Sequence, residues 1–166
     1  MNERQAVVAL GGLGLLAWWW NGRGGGDSLT ATVTTSEGFD LSQYGGPTSY
    51  PEPIRRFATA IAKQEGFYVA GSVPQRANNP GDLKVPNMPT LPGTSITLFS
   101  SAGAGWDALY RQINLILTGR SSYYNLDMTI AQMGRVWTTT EQAPWSSNVA
   151  SFLGVSVDTR LWQVLA

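Results

Sequence analysis

The sequence predicts a mainly helical α+β domain with one small β-hairpin, and two features of the chain lead to this class. From residue 54 onward, apolar residues recur at intervals of three and four in several separate runs, which is typical of amphipathic helices. One short stretch, Thr94 to Phe99, instead alternates polar and apolar residues, as a strand does. We expect this stretch to pair with Leu83–Val85 across the proline-rich connection between them, forming the hairpin.

An uncharged apolar segment near the N-terminus, residues 6–20, predicts a single-pass transmembrane helix and assigns residues 1–21 to a membrane anchor. Its three consecutive tryptophans lie where aromatic side chains meet a membrane interface. The segment is short, because a span takes about 17–25 residues. A signal peptide and a buried core helix are the alternatives, although no small-residue cleavage pattern follows Trp20. With Arg4 and Arg23 on opposite sides, the orientation stays open.

The middle of the chain, residues 22–53, is rich in glycine, serine and threonine and contains few large apolar residues. Such a composition predicts a flexible linker. The remaining residues, 54–166, are expected to form one globular domain of ordinary size.

Composition excludes several kinds of chemistry. The chain contains no cysteine and no histidine, so a thiol nucleophile, a histidine-activated serine and the usual zinc sites are ruled out. Carboxylates remain as catalytic groups, and we expect no metal or other cofactor. The 11 basic and 11 acidic residues balance. The sequence also has no run of basic residues of the kind that binds a phosphate backbone, so we do not expect nucleic acid as a partner.

One carboxylate lies on an apolar helical face. Ile54, Phe57, Ile61 and Glu65 share one side of a predicted helix that follows a pair of prolines and ends near Gly66. A carboxyl group held against apolar surface loses hydration, which raises its pKa and keeps it protonated near neutral pH, as a general acid requires. The alternative is a glutamate that turns out to solvent at a frayed helix end.

A second helix is expected after Ser100 or Ser101, either of which is a suitable N-cap. Its apolar stripe begins at Trp106 and stops at Gly119, which makes it the best candidate for the central core helix. Further helices follow, and we expect both Trp106 and Trp137 to be core residues.

Several stretches, taken together and in order, resemble the lysozyme-like family of phage and bacterial muramidases and lytic transglycosylases. They span nearly all of residues 54–166. The matching stretches are "EGF" at 65–67, "RANNPGDLK" at 76–84, "GWDAL" at 105–109 with Gln112, "TIAQMGRVW" at 129–137 and "NVASFLGVSVDT" at 148–159. Family members read closer to "RNNNPGNL", so Ala77 and Asp82 depart from the pattern.

The resemblance implies a lysozyme-like catalytic domain in which Glu65 protonates the glycosidic oxygen between N-acetylmuramic acid and N-acetylglucosamine. It implies that Asn78 and Asn79 offer amide groups to the sugar, although both also suit a turn before a Pro-Gly pair. Tyr68 and Tyr123 are candidates for stacking on sugar faces, although aromatic side chains are more often core residues.

Asp82 bears on the product of the reaction. Two carboxylates flanking the bond indicate a hydrolase, whereas one acid with substrate assistance suits a lytic transglycosylase. Asp82 is either that second carboxylate or a solvated loop acid, and we favour the loop acid, which leaves the product open with a lean toward transglycosylase.

The expected partners are peptidoglycan glycan strands, a lipid membrane contacted through residues 6–20, and other virion proteins. The resemblance and the predicted anchor together suggest a phage virion membrane protein that opens the cell wall during genome entry. A bacterial inner-membrane enzyme facing the periplasm is an alternative. So is a non-catalytic structural virion protein or glycan-binding module of the same fold.

Overall fold

The computed structural model describes residues 50–166, and six helices account for the regular structure within that range. These helices are α1 (Glu52–Gln64), α2 (Val73–Arg76), α3 (Ala102–Leu117), α4 (Ile130–Trp137), α5 (Gln142–Leu153) and α6 (Leu161–Leu165).

Helix α1 begins beside two prolines, Pro51 and Pro53, whose fixed φ suits a first helical turn. It ends at Glu65, the C-cap, because Gly66 takes a left-handed φ of 77° that most residues avoid. The Phe67 N–H then donates to the Ala62 carbonyl at 2.9 Å, which turns the Phe67 ring back into the core. The predicted helix is therefore present, with Glu65 at its end.

The predicted β-hairpin is wrong, and with it the α+β class, because residues 50–166 contain no strand. The 94–99 stretch makes only an isolated antiparallel bridge, between Thr90 and Thr97. Prolines at 86, 89 and 92 lack the N–H groups that a ladder needs. The Thr97 N–H donates to the Leu83 carbonyl at 3.0 Å, but the Asn79 side chain takes the Leu83 N–H and the Thr97 carbonyl that a second pairing bond would use.

The predicted membrane anchor at 1–21 and most of the linker at 22–53 lie outside the described residues, so the structure gives the transmembrane part of the predicted fold no support. None of the helices between residues 50 and 166 is long and apolar enough to cross a membrane.

Helix α1 occupies the middle of the domain, where it packs against α3, α5 and α6. Trp106 on α3 is 1% exposed, which confirms it as a core residue, and Ser101 is the N-cap of that helix. Helices α4 and α5 approach each other closely at Gly134, where an added Cβ would overlap the Ser146 hydroxyl. This close contact brings one buried tryptophan from each helix, Trp137 and Trp145, into the same place.

Candidate active site

A cleft of about 690 Å³ lies beside the end of α1, and both carboxylates singled out in the sequence line it. Glu65 comes from the C-cap of α1, and Asp82 comes from the loop that follows α2. The residues that line the cleft are Glu65, Val73, Pro74, Asp82, Lys84, Gly93, Thr94, Ser95 and Ile96. A volume of this size lies within the range of small-molecule binding sites.

Glu65 is half-buried, and two tryptophan side chains hold its carboxyl group. The indole N–H groups of Trp137 and Trp145 donate to the same oxygen, Oε1, at 3.0 and 2.8 Å. The two rings are stacked, with centroids 5.7 Å apart and planes inclined by 28°. An indole N–H is only a donor, so Oε1 serves as an acceptor in both contacts. When the carboxyl group is protonated, its proton is therefore carried by the other oxygen, Oε2.

Burial raises the pKa of Glu65 from 4.5 to about 7. The hydrogen bond from Trp145 opposes this change, as does the weaker one from Trp137, because both stabilise the carboxylate. The charges of Asp82 and Glu141 act in the same direction as burial, since they disfavour another negative charge. Near neutral pH the group exists in both forms, as a general acid and base requires.

The loop that carries Asp82 is organised around the buried side chain of Asn79. Its Nδ2 donates to the Leu83 carbonyl at 2.8 Å and to the Thr97 carbonyl at 3.0 Å, and its Oδ1 accepts from the Leu83 N–H at 2.8 Å. Gly105 on α3 packs directly against the Asn78 carbonyl, with no room for a Cβ. The loop is thus fixed both from within and by α3.

Asp82 adopts a positive φ of 50°, which is uncommon for a residue other than glycine. Its Oδ1 is buried and accepts no hydrogen bond from the described residues. Burial raises its pKa to about 6, while the charge of Lys84 lowers it. Lys84 itself is 6% exposed, and burial lowers its pKa while Asp82 raises it. A strained backbone and an unsatisfied buried oxygen in a cleft are features of functional sites.

The predicted sugar-binding residues do not line the cleft. Asn79 is fully buried, and its amide is used to shape the loop. The Asn78 Nδ2 donates to the Phe99 carbonyl at 3.1 Å. Tyr68 is half-buried and lies edge-on to Phe67, with ring centroids 5.5 Å apart. Tyr123 is 40% exposed in the loop before α4. For Asn78, Tyr68 and Tyr123, a role in substrate binding stays a prediction.

Sequence reasoning missed the two residues that hold Glu65. Trp137 was expected to be a core residue, and it is buried, but its N–H is directed at the carboxyl group. Trp145 was not singled out at all. The available signal was chemical: a buried indole N–H usually finds an acceptor, and Glu65 is an acceptor on an apolar face. The pairing itself joins residues 72 and 80 positions apart, which no local pattern encodes.

Among the residues from 50 to 166, no group of three or more histidine, cysteine, aspartate or glutamate side chains is arranged to hold a metal ion. Compared with family models, with curated proteins and with solved structures, the chain matches none of them.

Proposed function

We propose that the protein is a glycosidase that cleaves peptidoglycan between N-acetylmuramic acid and N-acetylglucosamine, with Glu65 as the general acid. The observation that carries the proposal is the pair of unlike carboxyl groups, Glu65 and Asp82, lining one cleft. The resemblance of residues 54–166 to muramidases and lytic transglycosylases supplies the substrate class. Two carboxyl groups with different pKa values are what glycoside cleavage uses.

The two pKa values assign the roles. At a pH between about 6 and about 7, Asp82 is mostly ionised while Glu65 keeps its proton. Glu65 passes the proton from Oε2 to the glycosidic oxygen as the bond to the anomeric carbon breaks, and the leaving sugar departs as an alcohol. Glu65 is then a carboxylate and acts as the base in the second step.

Asp82 has the charge that the positively charged transition state needs. Lining the cleft, its carboxylate can stabilise the oxocarbenium-like sugar until a water adds to the anomeric carbon and gives its proton to Glu65. The sequence alone favours a solvated loop acid, whereas a half-buried Asp82 at the cleft supports the hydrolytic route. We therefore propose a muramidase, which leaves a reducing end on the product, with the lytic transglycosylase as the alternative route.

The raised pKa of Glu65 favours an enzyme over a non-catalytic scaffold or glycan-binding module. Keeping an ionisable group at a pKa about 2.5 above its ordinary value costs stability of about 3 kcal/mol at alkaline pH. Such perturbed groups cluster at sites where they are used. The biological setting that we propose from the resemblance is a phage virion component that opens the cell wall during genome entry.

The test is digestion of purified peptidoglycan by the full-length protein, with the released muropeptides identified by mass spectrometry. We expect reducing N-acetylmuramic acid ends from the parent protein and none from Glu65→Gln. Glu52→Gln is the matched control, since Glu52 is an exposed glutamate at the start of the same helix. Anhydro-muramyl ends would establish the transglycosylase route instead. No release by folded parent protein would refute the enzyme and favour the structural or glycan-binding alternative.

A further inference from the structure

The two indoles that hold Glu65 are arranged for more than filling the core. Both N–H groups reach the same oxygen, and a carboxyl oxygen has two lone pairs. The donors therefore occupy the acceptor capacity of Oε1 and leave Oε2 as the oxygen that gains and loses the proton. Neither indole can reverse its role, because the indole nitrogen has no lone pair to accept with.

We propose that Trp137 and Trp145 are positioning residues that hold Oε1 of Glu65 as a permanent acceptor, keep the dissociable proton on Oε2, and stabilise the carboxylate form through their two hydrogen bonds. The catalytic consequence rests on the proposed function. The hydrogen bonds and their effect on the titration of Glu65 do not depend on the protein being a glycosidase.

The packing of α4 on α5 makes this arrangement rigid. The two rings are 1% and 2% exposed and stack on each other, so neither can rotate away from the carboxyl group without opening the core. Gly134 lets the helices approach closely enough for this stack. The Tyr124 ring packs against the Trp137 ring, with centroids 6.0 Å apart. The donors are therefore preorganised rather than recruited when substrate binds.

Other charged groups around Glu65 also affect its pKa, and their effects must be distinguished from those of the two indoles. Asp82, on the loop after α2, and Glu141, at the start of α5, both disfavour ionisation of Glu65. Lys84 acts on Asp82, and burial raises the pKa of Tyr124, so its hydroxyl stays neutral. The indoles act in the opposite direction to the two carboxylates. Removing one indole donor should therefore raise the pH at which Glu65 ionises, whereas removing Asp82 should lower it.

The experiment is a pH titration of the full-length protein followed by the indole ¹H–¹⁵N resonances in NMR, assigned with single Trp→Phe variants. We expect the Trp137 and Trp145 signals to move with a common midpoint near pH 7. Both movements should disappear in Glu65→Gln. In Trp145→Phe the midpoint of the remaining Trp137 signal should rise by about one pH unit, since a hydrogen bond to a charged group is lost.

Trp106 provides the matched control. It is equally buried, but its indole N–H donates to no described residue, so the variant removes no hydrogen bond to Glu65. Trp106→Phe should therefore leave the Trp137 and Trp145 midpoint unchanged, although it removes a similar part of a core side chain. Repeating the titration in Asp82→Asn removes any change in the indole signals that comes from the ionisation of Asp82 near pH 6.

Trp137→Phe, read through the Trp145 signal, serves as the second variant if Trp145→Phe does not fold. The proposal is overturned if the two signals do not titrate, if they titrate equally in Glu65→Gln, or if the midpoint stays the same in both Trp→Phe variants. If the protein releases no muropeptides, the NMR result still decides the role of the indoles. If the protein does release muropeptides, the pH at which the release rate falls on the alkaline side should move, in each Trp→Phe variant, by the same amount as the NMR midpoint.

Discussion

Replacing Glu65 by glutamine should stabilise the protein at alkaline pH while abolishing the proposed cleavage of peptidoglycan. In the folded protein burial raises the pKa of Glu65 from 4.5 to about 7. Below about pH 4.5 the group is protonated in both folded and unfolded chains, so it adds no pH-dependent term. As the pH rises from about 4.5 to about 7, the unfolded chain releases its proton while the folded protein keeps it, so the folded state loses stability across this interval. The difference between the two pKa values corresponds to about 3 kcal/mol.

Glutamine avoids this loss because it carries no charge and has nearly the shape of the protonated acid. Its carbonyl oxygen can accept the same two indole hydrogen bonds from Trp137 and Trp145. The free energy of unfolding of Glu65→Gln minus that of the parent should therefore be near zero at about pH 4.5 and about 3 kcal/mol at about pH 8.5.

Urea unfolding at a series of pH values measures this difference directly. Glu52→Gln removes an exposed glutamate from the same helix and should show a nearly constant difference, within about 0.5 kcal/mol, over the whole range. A constant difference for Glu65→Gln would refute the reasoning, because it would mean that folding does not perturb the ionisation of Glu65.

Three further predictions concern the surroundings of Glu65. Asn79→Ala should lower the free energy of unfolding by about 3 kcal/mol in urea unfolding, because it leaves the Leu83 N–H and the Thr97 carbonyl buried without their Asn79 partner; a loss below about 1 kcal/mol would contradict this. Gly134→Ala should force α4 from α5 and lower stability by about 1–3 kcal/mol in thermal unfolding, and an unchanged Tm would show that the close contact is dispensable. Asp82→Asn should reduce muropeptide release at least about 100-fold without unfolding the domain by circular dichroism, and full activity would return Asp82 to the role of a loop acid.

The helices were predictable because their signals are local. The stripe through Ile54, Phe57 and Ile61 and the glycine after Glu65 are contained within one helix and its end, and the structure has α1 there. The Ser101 cap of α3 and the buried Trp106 follow from equally short patterns.

The hairpin prediction failed because a local pattern was read without its hydrogen-bonding partners. The alternation in 94–99 suits a strand, but Leu83 and Thr97 share only the Thr97 N–H to Leu83 carbonyl hydrogen bond, because the Asn79 side chain takes the Leu83 N–H and the Thr97 carbonyl. A side chain that replaces strand pairing leaves no periodic signal in the sequence.

The candidate site was predictable only in part, for the same reason. Glu65 is marked by its place on an apolar face of the predicted helix, and Asp82 by its place directly after a Pro-Gly turn. The burial of Asp82 depends on the loop geometry, with its positive φ and its packing under α3, and the indole donors depend on how α4 crosses α5. These are tertiary arrangements, which spacing along the chain does not encode.

The pH dependence of kcat/KM for release of muropeptides from purified peptidoglycan tests the central claim most directly. The rate should rise as Asp82 ionises near pH 6 and fall as Glu65 loses its proton near pH 7, giving a narrow maximum between them. The rising limb should disappear in Asp82→Asn, and the falling limb should move upward in Trp145→Phe. A rate that stays constant from about pH 5 to about pH 9, or that persists unchanged in Glu65→Gln, would contradict Glu65 as the general acid.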